Sequence, residues 1–192
     1  MAASKTVTRT AATAVALLAT TAVFPAHAQN PAKETAMTAT VTPAGDPDSA
    51  RIISTVSSIP LAVDLARYDL AEAAFAPSIV IDYTSLWGGQ PQRMTPVELM
   101  AAWRALVPGF DATRHELKDV RAEVEGDRAT ATAFVDGRHW IDGRLWRPIG
   151  RYRWTLERQG GVWKVTTMTF AMTQEIGDRG LVALATERAK GR

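Results

Sequence analysis

The strongest constraint on the fold is the stretch 113–140, two runs of alternating apolar and polar residues joined by the turn Glu125-Gly126-Asp127-Arg128. Alternation sends successive side chains to opposite faces of a strand, and a Gly/Asp-centred connection closes two antiparallel neighbours. Before the turn, Val120, Ala122 and Val124 form the apolar face; after it, Ala129, Ala131, Ala133 and Val135 do. Pairing about Gly126-Asp127 sets Val124 opposite Ala129 and Val120 opposite Ala133, so both apolar sets share one side.

The same stretch carries His115 and His139, the only histidines after His27. Continued outward, the alternation puts His139 on the apolar side and His115 on the other. The first strand changes phase, however: His115 and Leu117 are odd-numbered, whereas Val120, Ala122 and Val124 are even. Such a shift is the signature of one extra residue, a β-bulge near Lys118-Asp119. With the bulge, His115 returns to the apolar side, diagonally across from His139 at roughly 7–8 Å between Cα atoms. Two imidazoles facing one cavity form a candidate site for proton transfer, because histidine titrates near neutral pH.

The chain begins with Lys5 and Arg9, an apolar run over 11–24, and Ala26-His27-Ala28 before Gln29. This is the pattern of a secretory signal peptide with a small-x-small cleavage site, and the run is shorter than the roughly 20 apolar residues of a membrane span. A periplasmic or secreted chain starting near Gln29 is expected. Lys5 and Arg9 are the only charged residues in the leader, so its removal leaves 20 basic residues against 20 acidic ones and no net charge. The alkaline pI of about 9.1 therefore gives no support for nucleic acid or a membrane surface as partner. With no cysteine, disulfides, thiol nucleophiles and thiolate metal sites are excluded. Residues 29–47, rich in Ala, Thr and Pro, read as a flexible linker, and 48–192 is the size of one domain.

Within that domain, Asp48 or Ser49 caps a first helix with Ile52, Ile53, Val56 and Ile59 on one stripe. Pro60 predicts a kink or break before apolar spacing resumes over 61–65. A second helix is expected over 68–75, a strand over 78–83 and a turn at Gly88-Gly89. Thr95-Pro96-Val97-Glu98 has the form of a capping box with proline at the first helical position, opening a helix with Leu99, Trp103 and Leu106 on one face. After the hairpin come a turn at Asp142-Gly143, a strand over 145–158, a turn at Gly160-Gly161, a strand over 162–172 and a helix over 181–189. The order predicts an α+β fold: a cone-shaped, curved antiparallel sheet wrapped around a pocket, with helices on one face.

Read in order, Phe75-Ala76-Pro77, Ile81-Asp82-Tyr83, Thr95-Pro96-Val97-Glu98-Leu99, Arg114-His115, His139-Trp140, Gly150-Arg151-Tyr152 and Gly161-Val162-Trp163-Lys164 span nearly the whole domain. Together they resemble the nuclear transport factor 2-like superfamily, with its cystatin-like roll, and within it the SnoaL-like and scytalone dehydratase-like branch. The resemblance implies a deep, largely apolar pocket and water elimination from a hydroxylated cyclic ketone without metal or organic cofactor. It carries the catalytic positions onto Asp64, Tyr83, His115 and His139. A second family tyrosine falls on Val63, and two polar pocket positions fall on Gly150 and Tyr152, so the substrate is expected to differ from the fungal one.

On this reading Asp64 orients His139, His115 is the second acid/base and Tyr83 donates to a carbonyl oxygen. Val63, Tyr152, Trp87 and Trp103 are expected against a small apolar or cyclic substrate. Other readings stay open: a non-catalytic binder of a small hydrophobic ligand or partner, an isomerase or epoxide hydrolase, and a two-histidine, one-carboxylate iron site. The resemblance also implies homo-oligomers formed through the open sheet face, which here carries Arg151, Arg153 and Glu157.

Overall fold

A computed structural model describes residues 45–191. The expected signal peptide and all but the last residues of the expected linker lie outside the described residues. Asp46 caps helix α1 (Pro47–Asp64), its carboxylate accepting from the Ser49 backbone N–H, with proline in the first turn. The cap thus falls two or three residues before the position expected at Asp48 or Ser49.

No break occurs at Pro60: α1 runs to Asp64. An internal proline costs about 3 kcal/mol. Here Pro60 is itself buried, and Ile59, Ala62 and Val63 on either side of it sit in the main core, so packing offsets the missing hydrogen bond. Helix α2 (Tyr68–Glu72) stops short of the expected Phe75, because Phe75 already pairs with Val165 as the first residue of strand β1 (Phe75–Asp82). Tyr83 follows the strand and precedes a single turn, α3 (Thr84–Trp87). Strand β2 (Gln92–Met94) then folds back on β1. Neither α3 nor β2 is readable from the sequence, both being too short to show a period.

Helix α4 (Pro96–Arg104) has the capping box its sequence predicts, with Thr95 Oγ1 accepting from the Glu98 N–H and the Glu98 carboxylate accepting from the Thr95 N–H. Four long strands follow a short turn at Val107–Gly109: β3 (Ala112–Glu125), β4 (Arg128–Ile141), β5 (Arg144–Gln159) and β6 (Val162–Gly177). Asp142-Gly143 and Gly160-Gly161 close two of the hairpins with positive φ at both central residues, as a right-twisted two-residue connection demands. Helix α5 (Gly180–Ala189) ends the chain.

The sheet order is β2-β1-β6-β5-β4-β3. It is antiparallel except where β1 lies parallel to β6, a pairing between distant strands that no turn could announce. Helix α1 crosses the inner face against β3, β4 and β6. The core beneath it is closed by Trp154, Leu156, Val165 and Met168, each at most 2 % exposed. A second cluster at the other end joins Phe110, Ile141 and Trp146 to Leu181 and Ala185 of α5. Among the described residues no helix is long and apolar enough to cross a membrane.

Candidate active site

The bulge lies where the phase change predicts it. Lys118 pairs with Phe134 and Arg121 with Thr132, so Asp119 and Val120 together face Ala133, and Asp119 takes the left-handed conformation at φ 53°. Beyond it, His115 is opposite Gly137 and Thr113 opposite His139. The two histidines are therefore diagonal neighbours on the inner face, their ring centroids 5.1 Å apart and edge to face. Gly137 leaves the space that His115 fills: a Cβ built there would come within 3.2 Å of the imidazole.

Both rings line a cavity of about 310 Å³. Tyr83, Tyr152, Val63, Trp87 and Trp103 line it as well. Trp103 packs its edge against Phe75, with centroids 6.2 Å apart. Gly150 does not line it: a Cβ at Gly150 would sit 2.3 Å from the Ala171 carbonyl oxygen, so at that position only glycine lets β5 and β6 approach.

Asp64 is brought to the site by the continuity of α1, but its partner is His115, not the expected His139. Asp64 Oδ1 lies 2.7 Å from His115 Nδ1 and accepts from the Thr113 hydroxyl at 2.7 Å, while Oδ2 accepts from the His115 backbone N–H at 2.6 Å. The pairing follows from geometry that sequence spacing does not contain: α1 ends over β3, the edge strand, and His139 lies one strand further in. Burial works against the Asp64 carboxylate, yet the His115 imidazole and the two other donors outweigh it and hold the carboxyl below its usual range. With Nδ1 engaged, Nε2 is the His115 nitrogen left for the cavity.

His139 has the opposite environment. Phe110 and Trp146 pack on it with centroids at 4.9 and 4.6 Å, and it is 6 % exposed. Its Nδ1 is buried without a hydrogen-bond partner. Burial, reinforced by the nearby His115, pushes its pKa down to about 3, so it is neutral at ordinary pH. Burial likewise raises the two phenols, Tyr152 to about 12 and Tyr83 well above its ordinary value, and the pair interact through their hydroxyls. Tyr83 also points its hydroxyl at Met168 Sδ, 3.8 Å away.

Thr113 and Phe110 escaped the sequence reading, and Trp146 is expected from it only as one of six tryptophans of wall or core. Thr113 shares the parity of His115 on β3, and Trp146 that of Tyr152 and Trp154 on β5, so alternation could have found both. Phe110 sits in a loop and gives no such signal. Among the described residues no group of three His, Cys, Asp or Glu side chains is placed to hold a metal ion.

Solved structures of other proteins share this fold. A Kribbella flavida protein, Kfla4162, superposes with a TM-score of 0.63 at 24 % identity, over 73 % of this chain and 95 % of its own. A Novosphingobium aromaticivorans protein provisionally described as an aromatic ring hydroxylase gives 0.59 at 22 %, over 73 % and 94 %. From the same organism, one provisionally described as a scytalone dehydratase gives 0.56 at 14 %, over 68 % and 87 %. No curated protein matches the chain. The SnoaL-like domain matches residues 47–169, from the first turn of α1 to the middle of β6, and the chain belongs to that family, within the nuclear transport factor 2-like superfamily.

Proposed function

We propose that this pocket protein is a lyase or isomerase that moves a proton on a small, neutral, cyclic hydroxy-ketone-type substrate with its own side chains. The observation that carries this reading is the Asp64–His115 pair. A carboxylate on Nδ1 keeps that nitrogen protonated and presents the Nε2 lone pair to the cavity as a base.

In a dehydration, His115 Nε2 takes the proton from the carbon next to the carbonyl. The freed electron pair becomes the new C–C π bond as the β C–O bond breaks. The imidazolium returns the proton to the departing hydroxyl, and water leaves. Tyr83 and Tyr152, kept protonated by burial, donate toward the enolate oxygen. His139 stays neutral through the cycle and serves as a hydrogen-bonding wall residue instead of an acid. On this reading His115 takes over the carboxylate partner expected for His139 and remains the acid/base, and His139 loses its proton-transfer role.

Two neighbours carry provisional descriptions as a scytalone dehydratase and, in Streptomyces avermitilis, a dehydratase, which supports the reaction class by analogy of fold. The leader-like residues 1–28 support an exported protein. The test is turnover of a panel of cyclic β-hydroxy ketones, followed by mass spectrometry. His115→Ala should abolish product while the melting temperature stays within a few degrees; undiminished turnover sinks the proposal.

A second reading, a non-catalytic carrier, draws on Val63 and Gly150, which put no polar group where the dehydratases have one. Ligand binding that survives the double substitution His115→Ala/His139→Ala, with no product from the intact protein, would favour it.

A further inference from the structure

The mouth of the cavity lies in the excursion between β1 and α4, residues 84–94. Of the lining residues that are solvent-exposed, Trp87, Gly88, Gln90 and Gln92 belong to it, and Ala102 of α4 is the remaining one. The excursion is anchored at both ends. Ser85 donates to the Phe170 carbonyl and accepts from the Met172 N–H at 2.9 Å, while Met94 pairs with Ile79 on β1. Between the anchors, Gly88 and Gly89 have φ of 74° and 79°, and a Cβ at either would meet nothing within 4 Å. The Gly88 N–H still donates to the Thr84 carbonyl at 2.8 Å, but neither glycine has a neighbour packed where a side chain would be.

Two side chains from outside hold this middle part: the Trp146 ring, 5.8 Å from that of Trp87, and Arg179. Arg179, at the start of α5, donates through Nη2 to the Leu86 carbonyl and places its guanidinium 5.2 Å from the centre of the Trp87 ring. Its Nη1 is held by both Glu175 oxygens at 2.8 Å. Glu175 in turn accepts the Trp146 indole N–H at 2.6 Å, and Trp146 is the ring that packs on both His139 and Trp87. Mouth and inner wall thus meet at the Trp87–Trp146 ring contact and at one Arg–Glu pair. That pair is solvent-accessible, with Arg179 45 % exposed, so its contacts can be exchanged for water at little cost.

We infer that Arg179 is the latch of a gate: residues 86–92 swing about Gly88-Gly89 to admit a ligand, and the Arg179 contacts to Leu86, Trp87 and Glu175 hold the gate closed over it. This rests on the cavity being the ligand site. A latch predicts a kinetic signature that an ordinary ligand contact does not, since freeing a gate speeds entry and exit together, whereas losing a contact speeds exit alone.

The experiment compares the full chain with its Arg179→Ala and Arg179→Lys variants in two measurements. Hydrogen exchange of peptides covering 84–94, without ligand, should show lost protection at 86–92 in Arg179→Ala and an intermediate loss in Arg179→Lys, which keeps the charge but not the planar stack on Trp87. Stopped-flow tryptophan fluorescence with 2-naphthol as probe should show both association and dissociation about fivefold faster or more in Arg179→Ala, with Kd within about threefold of the parent. Unchanged exchange at 86–92 overturns the latch. So does faster dissociation with association unaltered, which would make Arg179 a contact. If the parent chain binds no 2-naphthol, the exchange result alone decides the latch, and the ligand-site reading is what has been weakened.

Discussion

Two histidines whose rings lie 5.1 Å apart live in different chemical worlds. His115 stands on an edge strand, backed by a carboxylate that also binds Thr113 and the backbone. His139 stands one strand further in, walled by Phe110 and Trp146, with a nitrogen buried and poorly satisfied. Proximity therefore does not make them equivalent. A polar shell on one side of the pair orients a base, and an aromatic shell on the other removes a charge. Separating titratable neighbours by environment is a recurring way to assign distinct roles to like residues.

The largest effect that would break the contrast is at Asp64. Asp64→Asn removes the charge behind His115 and can favour the wrong tautomer, so turnover should fall by roughly a hundredfold or more. Nitrogen-15 spectra should show the Nδ1–H tautomer of His115 in the parent and a mixture in the variant, and a parent that is Nε2–H would refute the assignment.

Next comes acid stability. His139 folded has its pKa near 3 against an ordinary 6.5, so the unfolded chain binds the extra proton between those values. Stability contributed by the neutral ring is complete above pH 6.5 and declines as pH falls toward 3, by on the order of 5 kcal/mol at most. Asp64, with its depressed carboxyl, contributes stability present above its unfolded value of 3.8 and lost below that. Urea midpoints measured from pH 7.5 to 4 should fall in the parent and much less in His139→Phe; parallel curves would show that another group drives the slope.

Phe110→Ala tests the aromatic shell itself. Deleting a ring that is 3 % exposed should cost about 3 kcal/mol and let water reach His139, whose NMR titration midpoint should climb toward the ordinary range. The smallest effect is expected of Thr113→Val, which removes one of three donors to Asp64. Stability should drop by about 1 kcal/mol, and the Asp64 carboxyl should titrate at higher pH than in the parent.

Much of this was legible because sheets keep a period of two. The alternation of Val120, Ala122 and Val124 against Leu117 and His115 located the bulge, and the bulge put both imidazoles inside. Turn chemistry at Gly126, Gly143 and Gly160, and the Thr95 capping box, were equally local signals. What local signals cannot reach is distance between remote elements. The partner of Asp64 depends on where α1 ends over the sheet, the β1–β6 pairing joins residues about ninety positions apart, and Arg179 meets Trp87 across a similar gap. Pro60 misled for another reason: burial of the residues around it outweighed its local preference.

The bulge at Asp119 has one more consequence. Because the extra residue loops out against Ala133, the pairing on both sides of it remains regular, with Val124 opposite Ala129 and His115 opposite Gly137. Excising Asp119 would leave a continuous ladder in which His115 still faces Gly137, whereas a second inserted residue would have to be absorbed elsewhere or carry the imidazole to the outer face. The strand thus tolerates a shortening at one place that it would not tolerate two residues further along, between His115 and Leu117, and a change of chain length there is a route by which relatives of this fold could vary without losing the site.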